Sequence, residues 1–189
     1  MSFLDDDYKV PSTSRYMKWQ EGQNQFRILG SFVEGTAIMG YEYWKSTEEG
    51  GRKPVRVKLG ISVPIAELEE NPKTGELDLP KHFWALPVWN YAEKSFQILE
   101  ITQKTIMNAI KDLARNKKWG DPKNYDINVT RTTENSKTKY TVMPEPKEKL
   151  TEEIEEQIAL VKINIHALYD GEDPFQVSLE TVHPDEVKV

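Results

Sequence analysis

The chain has 189 residues, no cysteine and a formal net charge of -6. Its 38% hydrophobic and 30% charged residues describe a globular protein with a buried core and a well-solvated surface. Without cysteine, disulfides, thiolate nucleophiles and cysteine-based zinc sites are excluded. No apolar run approaches the length of a membrane helix, and MSFLDDDYKV lacks the pattern of a secretory signal, so we expect an intracellular protein with no membrane partner.

Positive and negative charges are separated along the sequence. Lysine and arginine outnumber aspartate and glutamate in 15–58 and in 81–147, whereas 148–189 contains three basic and eleven acidic residues. This is the asymmetry expected of a nucleic-acid binder whose acidic tail competes with the ligand or recruits basic partners. The alternative is chance patterning of a solvated surface.

The first part of the chain is predicted to contain an arm and then strands. Residues 1–14, with three aspartates followed by Pro, Ser and Thr, are expected to form a flexible N-terminal arm. Alternating apolar residues predict strands over 24–33, 41–45 and 52–61. The third strand has a basic face, and we expect Tyr41 and Tyr43 of its neighbour to share a surface with these cations.

The aromatic stretch KHFWALPVWNYAEKSFQILEIT, residues 81–102, is predicted to be the central element. It reads as two strands, 82–91 and 96–101, joined by a polar turn. Alternation sends Trp84 to one side and Phe83, Trp89 and Tyr91 to the other, and only one side can be completely buried in a domain of this size. We therefore expect an open aromatic face; burial of both faces is the alternative.

The second part of the chain is predicted to contain a helix, a hairpin and a second helix. Apolar residues at helical spacing place the first helix at 102–117 with Thr102 as a candidate cap. A hairpin is expected from strands 125–132 and 138–143. The second helix is predicted over 151–165, with glutamates in its first turn where the helix dipole favours anions.

Patterns for catalysis or metal binding do not stand out. His82, His166 and His183 lie far apart without the spacing of a metal site. The glutamate pairs of 152–156 lie on the polar side of an amphipathic helix, and no serine or threonine lies in a nucleophile-elbow context. We therefore predict no catalytic residues, no metal and no cofactor, and do not expect an enzyme.

The sequence does offer side chains suited to single-stranded nucleic acid, since bases stack on aromatic rings and cations follow the phosphates. The candidate aromatic residues are Tyr41, Tyr43, Trp44, Phe83, Trp89, Tyr91 and Trp119. The candidate cations are Lys53, Arg56, Lys58, Lys81, Lys94, Arg131, Lys137 and Lys139. An aromatic residue taken alone is more often part of a core than of a binding surface.

The order of the predicted elements fits a mainly β protein with accessory helices. Strand, strand, strand pair, helix and hairpin match a five-stranded Greek-key barrel of the OB type, with the helix between the third and fourth principal strands. We expect residues 15–147 to form this OB-fold core and residues 148–189 to form an acidic C-terminal helix and tail.

Six segments taken together carry a resemblance to a known family. They are GQNQFRILG, GYEYW, RKPVR, FWALPVWNY, QILEITQKTI and WGDPKNYDI. In this order and spacing they resemble the single-stranded DNA-binding proteins of tailed bacteriophages related to the T-even helix-destabilising protein, over most of residues 16–146. The resemblance implies an OB-fold core that binds single-stranded DNA in a basic cleft and serves phage DNA replication, recombination and repair in the bacterial cytoplasm. It also implies that the acidic C-terminal part contacts replication and recombination proteins.

The chain departs from this family in two places. The T-even protein holds zinc through cysteines and a histidine, and a chain without cysteine cannot form that site. The family's basic N-terminal segment for cooperative binding is not matched by MSFLDDDYKV.

The residues also leave two rival functions open: a β-sandwich module that holds a carbohydrate or a protein through exposed aromatic residues, and a nucleic-acid enzyme with a dispersed acidic metal site.

Overall fold

The computed structural model describes residues 14–175 and is mainly β, as predicted. The strands are β1 Tyr16–Met17, β2 Gly22–Ile28, β3 Ile38–Ser46, β4 Arg52–Lys58, β5 Lys81–Asn90, β6 Ser95–Ile101, β7 Tyr125–Glu134 and β8 Lys137–Lys147. The helices are α1 Lys104–Arg115 and α2 Glu152–Ala159, with 3-10 turns at Ile65–Glu67, Pro122–Asn124 and Ile165–Tyr169. Within the described residues no helix combines the length and the apolar character needed to cross a membrane.

Two compact units make up the described chain, and each is assembled from two separate segments. Unit 1 comprises residues 14–30 and 86–151, and unit 2 comprises 31–85 and 152–175. The predicted arm lies outside the described residues except for Ser14, and so does the end of the predicted tail after residue 175. The OB fold, and the division into a 15–147 core and a 148–189 tail, stay predictions.

Unit 1 is built on a mixed sheet. Its strand order is β1, β6, β5, β2, β7 and β8. The β1–β6 pair is parallel, whereas β2 pairs antiparallel with β5 and β7, and β7 with β8. Apolar side chains of the strands and of α1 form its core, which includes Phe26, Val88, Ile98, Leu99, Ile101, Ile106, Ile110, Ile127 and Val129.

The β7–β8 hairpin of unit 1 follows the prediction closely. Strand β7 ends at Glu134 and β8 begins at Lys137, which leaves a two-residue turn. Asn135 and Ser136 both have positive φ, of 48° and 62°, as expected for the turn type that matches the twist of paired strands. The predicted hairpin is therefore confirmed.

Unit 2 contains an antiparallel sheet in which β3 lies between β4 and the first residues of β5. A Cβ on Gly40 of β3 would lie 2.1 Å from the Val57 carbonyl oxygen, so only glycine fits at this position. The 3-10 turn 165–169 contributes buried Ile165, Ala167 and Leu168 to this unit. The Tyr169 hydroxyl donates to the Met39 carbonyl oxygen at 2.8 Å, which fixes the turn to β3.

The helices are shorter than predicted. In α1 the capping residue is Gln103 rather than Thr102, and the helix ends at Arg115. The predicted helix 151–165 is wrong in its extent, because α2 ends at Ala159 and a separate 3-10 turn follows. The intervening residues include β-branched Val161 and Ile163, which favour extended backbone over helix. Sequence periodicity joined two elements that pack differently, since no residue of α2 is buried.

Candidate nucleic-acid interface

Three of the predicted aromatic residues belong to the core. The exposed fractions of Tyr43, Phe83 and Trp89 are 7%, 0% and 3%. Every residue from Ala85 to Asn90 of β5 is buried, so the expectation of an open aromatic face is wrong for this part of the stretch. A base cannot stack on a ring without an exposed face, and we therefore leave these three residues out of the interface.

Four other rings form a half-exposed row in unit 2, which we call the aromatic row: Phe32, Trp84, His82 and Tyr41. The register pairs Tyr41 with His82 and Met39 with Trp84, so these strands present Tyr41, His82 and Trp84 on the same face. Phe32 and Trp84 have ring centroids 5.2 Å apart, and His82 and Tyr41 have centroids 5.4 Å apart. Sequence reasoning assigned only Tyr41 to a site.

His82 links the two halves of the aromatic row by hydrogen bonds. The indole Nε1–H of Trp84 can only donate, and it lies 3.2 Å from His82 Nε2, which must therefore accept. In the neutral ring the proton is then on Nδ1, which donates to the Gly40 carbonyl oxygen at 2.8 Å. The backbone of β3 thus fixes the imidazole, and the imidazole fixes the indole.

The cations of unit 2 are divided between the two faces of the β3–β4 hairpin. Tyr41 is registered with Val57 and Tyr43 with Val55, so the expected sharing of a face with Arg56 and Lys58 is wrong. Lys53 is exposed on the Tyr41 side, opposite Lys45.

The opposite face of this hairpin carries the remaining candidates of unit 2. Trp44 is 38% exposed there, and Lys58 and Lys81 are also exposed. The Arg56 side chain is only 9% exposed because its Nε lies 3.3 Å from a Glu42 carboxylate oxygen and its guanidinium lies 5.4 Å from the centre of the Phe83 ring. Lys58 Nζ lies 5.4 Å from the centre of the Tyr169 ring. Arg56 is therefore engaged inside the unit rather than presented to a ligand.

Unit 1 presents a second surface, which we call the polar sheet face. The registers of β2, β7 and β8 pair Gln25 with Asn128, Asn128 with Met143 and Thr132 with Lys139. One face of the sheet therefore carries Gln25, Asn128, Thr130, Thr132, Lys137, Lys139, Thr141 and Met143. Both lysines are exposed, and Met143 is 59% exposed.

A buried ion pair supports the polar sheet face. Arg27 is 3% exposed, and its Nε lies 2.6 Å from Asp126 Oδ1. The same carboxylate accepts from Gln25 Nε2 and from the Tyr91 hydroxyl, both at 3.0 Å. Burial, reinforced by the Asp126 charge, raises the pKa of Tyr91 to about 12, so its hydroxyl stays protonated and donates. This fixes the ring of Tyr91 beside the face.

One acceptor on the polar sheet face lacks a partner. Asn128 Oδ1 is buried and accepts no hydrogen bond from the described residues. Buried polar atoms are nearly always satisfied, so this oxygen is available to accept a hydrogen bond from a ligand. No sequence pattern singled out Asn128, because its position beside Gln25 depends on the pairing of two strands that lie far apart in the chain.

The remaining candidates of unit 1 are not brought to this face. Arg131 is registered with Tyr140 on the other side of the hairpin, and its Nη1 donates to the Trp19 carbonyl oxygen at 2.9 Å. Trp119 is half-buried with its ring edge-on to Tyr125 at 5.5 Å. Lys94 is exposed in the β5–β6 turn. Of the predicted residues, the structure therefore brings Lys137 and Lys139 together at one end of the polar sheet face, whereas Tyr91 lies at the Asp126 end.

Charge is distributed unequally between the units. The described residues of unit 1 include fifteen lysines and arginines and nine aspartates and glutamates. The described residues of unit 2 include eight lysines and arginines and sixteen aspartates and glutamates. Nowhere in residues 14–175 do three or more histidine, aspartate or glutamate side chains gather in a way that could hold a metal ion. Electrostatic attraction of a polyanion is therefore expected mainly from unit 1.

Comparisons with known proteins do not assign a family. No protein-family model matches the chain, and no curated protein and no solved structure is significantly similar to it.

Proposed function

We propose that the protein binds single-stranded DNA without sequence preference and without catalysing a reaction. The observation that carries the proposal is the aromatic row, because three of its rings lie half-exposed on one face of the β3–β5 pair, with Phe32 beside them, and unpaired bases stack on such rings. Exposed Lys53 on the same side of the β3–β4 hairpin supplies a cation for a phosphate. The basic surplus of unit 1, with Lys137 and Lys139 on the polar sheet face, adds a second contact surface.

The resemblance to the phage proteins supports the wider parts of the proposal. By that likeness the strands belong to an OB-type fold, and the protein protects and organises single-stranded DNA during phage replication, recombination and repair. The bacterial cytoplasm would be its place of action. The acidic segment 148–189 would recruit replication and recombination proteins, and α2 is consistent in charge, with Glu152, Glu153 and Glu155 in its first turn.

Two aromatic residues of β3 provide a matched test. Tyr41 and Trp44 are 39% and 38% exposed but project from opposite faces of the strand. We expect Tyr41→Ala to weaken binding of oligo-dT by about 1 to 3 kcal/mol, the value of one stacked base, while Trp44→Ala leaves the affinity nearly unchanged. Fluorescence titration at low salt measures both. Equal losses in the two variants would show that the aromatic row is not the binding surface.

Salt dependence separates this function from its rivals. Binding to phosphates weakens steeply with added salt because counterions are released, whereas a module that holds carbohydrate or an uncharged protein surface binds almost independently of salt. A metal-dependent nucleic-acid enzyme would instead cleave labelled single-stranded DNA in the presence of Mg²⁺. Absence of any gel shift with oligo-dT at low salt would reject the proposal.

A further inference from the structure

Unit 1 contains a pocket of about 290 Å³ that the proposed interface does not use. Its walls come from the first described residues, from the β1–β2 connection and from the β5–β6 turn, and include Ser14, Lys18, Asn24, Asn90, Ala92 and Gln97. Pockets for small molecules usually measure about 300 to 1,000 Å³, so this one has room for a single small ring system.

The floor of the pocket is a chain of buried amides with a defined orientation. Asn90 and Gln97 are 6% and 1% exposed. The backbone N–H of Ala92 donates to Asn90 at 3.0 Å, so the accepting atom is Oδ1 and the amide nitrogen points the other way. Asn90 Nδ2 then donates to Gln97 Oε1 at 2.8 Å, and Gln97 Nε2 donates to the Ser14 carbonyl oxygen at 2.8 Å. The backbone therefore fixes both ends of this chain.

Both amides keep unused hydrogen-bonding capacity. A side-chain amide has two N–H donors and two acceptor lone pairs, and the contacts above use one donor and one acceptor of Asn90 and of Gln97. Asn24 differs, because its Nδ2 approaches the carbonyl oxygens of Gln20, Gly22 and Val129 and its Oδ1 accepts from the Gln20 N–H. Asn24 thus builds the wall, while Asn90 and Gln97, which also line the pocket, each keep one donor and one acceptor position.

We propose that this pocket binds one unpaired nucleobase. Amide side chains offer a donor and an acceptor side by side, which complements the hydrogen-bonding edge of a base. Exposed Lys18 also lines the pocket and can contact a phosphate attached to the bound base. The base can belong to a DNA strand, and this version of the proposal rests on the proposed function. It can also belong to a free nucleoside, which presents the same hydrogen-bonding edge.

The experiment compares the pocket with a matched position elsewhere in unit 1. Ala92 is exposed at the pocket, and Ala114 is exposed on α1. Side-chain amide resonances of Asn90 and Gln97 are followed by NMR during titration with dA, dC, dG and dT oligonucleotides, and separately with the four deoxynucleosides. We expect saturable shifts with at least one base. Ala92→Phe should abolish these shifts and weaken the binding of the oligonucleotide that carries this base about tenfold, which corresponds to the loss of one or two hydrogen bonds. Ala114→Phe should change neither the shifts nor the affinity.

The two proposals fail in different ways. Salt-sensitive binding of all oligonucleotides without movement of either amide resonance would overturn the pocket and leave the proposed function intact. If no oligonucleotide binds, the proposed function is lost, and the nucleoside titration alone decides the pocket. Shifts caused by nucleosides but not by oligonucleotides would identify a free nucleoside as the source. The resonances of the unmodified protein give the answer even if Ala92→Phe does not fold.

Discussion

Asp126 holds together side chains at one end of the polar sheet face of unit 1. Donors from Arg27, Gln25 and Tyr91 converge on its carboxylate, and both members of the ion pair are at least nine-tenths buried. Burying two charges gives little net stability, but removing one of them leaves the other without compensation. The residue is therefore sensitive to substitution even though its ion pair is a weak source of stability.

We predict that Asp126→Asn lowers the free energy of unfolding by about 3 to 5 kcal/mol, because it leaves the Arg27 charge buried and unpaired. Urea unfolding measures the change. Asp112→Asn is the matched control, since the Asp112 side chain is 74% exposed and lies 3.9 Å from Lys111. It should cost less than about 1 kcal/mol. Similar losses in both variants would contradict the role given to Asp126.

Two tyrosines of unit 1 make stability depend on alkaline pH. Burial raises the pKa of Tyr91 and of Tyr125 from 10.0 to about 12. The unfolded chain therefore ionises before the folded protein, so their contribution is complete below pH 10 and is lost as the pH rises towards 12. The midpoint of urea unfolding should fall over this window. The double variant Tyr91→Phe and Tyr125→Phe should flatten the fall, and an unchanged slope would contradict the assignment.

At the scale of elements, strand register decides which side chains share a surface. Alternation correctly placed Val55 and Val57 of β4 on the face opposite Arg56 and Lys58. The basic face is not turned to solvent throughout, because the Arg56 side chain is only 9% exposed, and Tyr41 and Tyr43 are registered with the valines. A shift of one residue would have placed them beside Arg56 and Lys58 instead. Alternation within a strand can be read from sequence, whereas register depends on the turn and on the neighbouring strand.

The β7–β8 hairpin allows a prediction on the polar sheet face. We expect Lys137→Ala with Lys139→Ala to reduce the dependence of log affinity for oligo-dT on log salt by about 1.4, or about 0.7 for each phosphate contact on a single strand. Lys104→Ala with Lys117→Ala, two exposed residues outside that face, is the control. Titration over a salt series gives both slopes. A control pair that lowers the slope equally would indicate diffuse attraction rather than a defined surface.

Elements that depend on local sequence were predicted well, and those that depend on distant partners were not. The hairpin 125–143 and the strands of the aromatic stretch follow from alternation and turn residues. Burial of Phe83 and Trp89 does not follow from alternation, because it depends on the elements that cover each face of β5. The His82 and Trp84 contact was missed for a similar reason: only the structure shows that Gly40 supplies the acceptor that orients the imidazole.

At the scale of the whole molecule, charge follows the compact units rather than the order of the sequence. The basic body predicted for 15–147 is basic chiefly in the segments of unit 1, since residues 31–85 contain more acidic than basic side chains. The net charge of block 15–147 hides this difference, because the block combines the basic segments of unit 1 with the acidic segment 31–85 of unit 2. Composition therefore predicted that cations and anions are separated, but it could not predict where the separation lies.

The interleaving of the two units limits how the protein can be shortened. Ile165, Ala167 and Leu168 are buried, and Tyr169 is bonded to the backbone of β3. A truncation at Lys147 would remove these buried residues together with the acidic segment. A loss of DNA binding would then not distinguish the lost packing from the lost charge. A deletion that begins after residue 175 keeps these buried residues, so a change in DNA binding would not come from their loss.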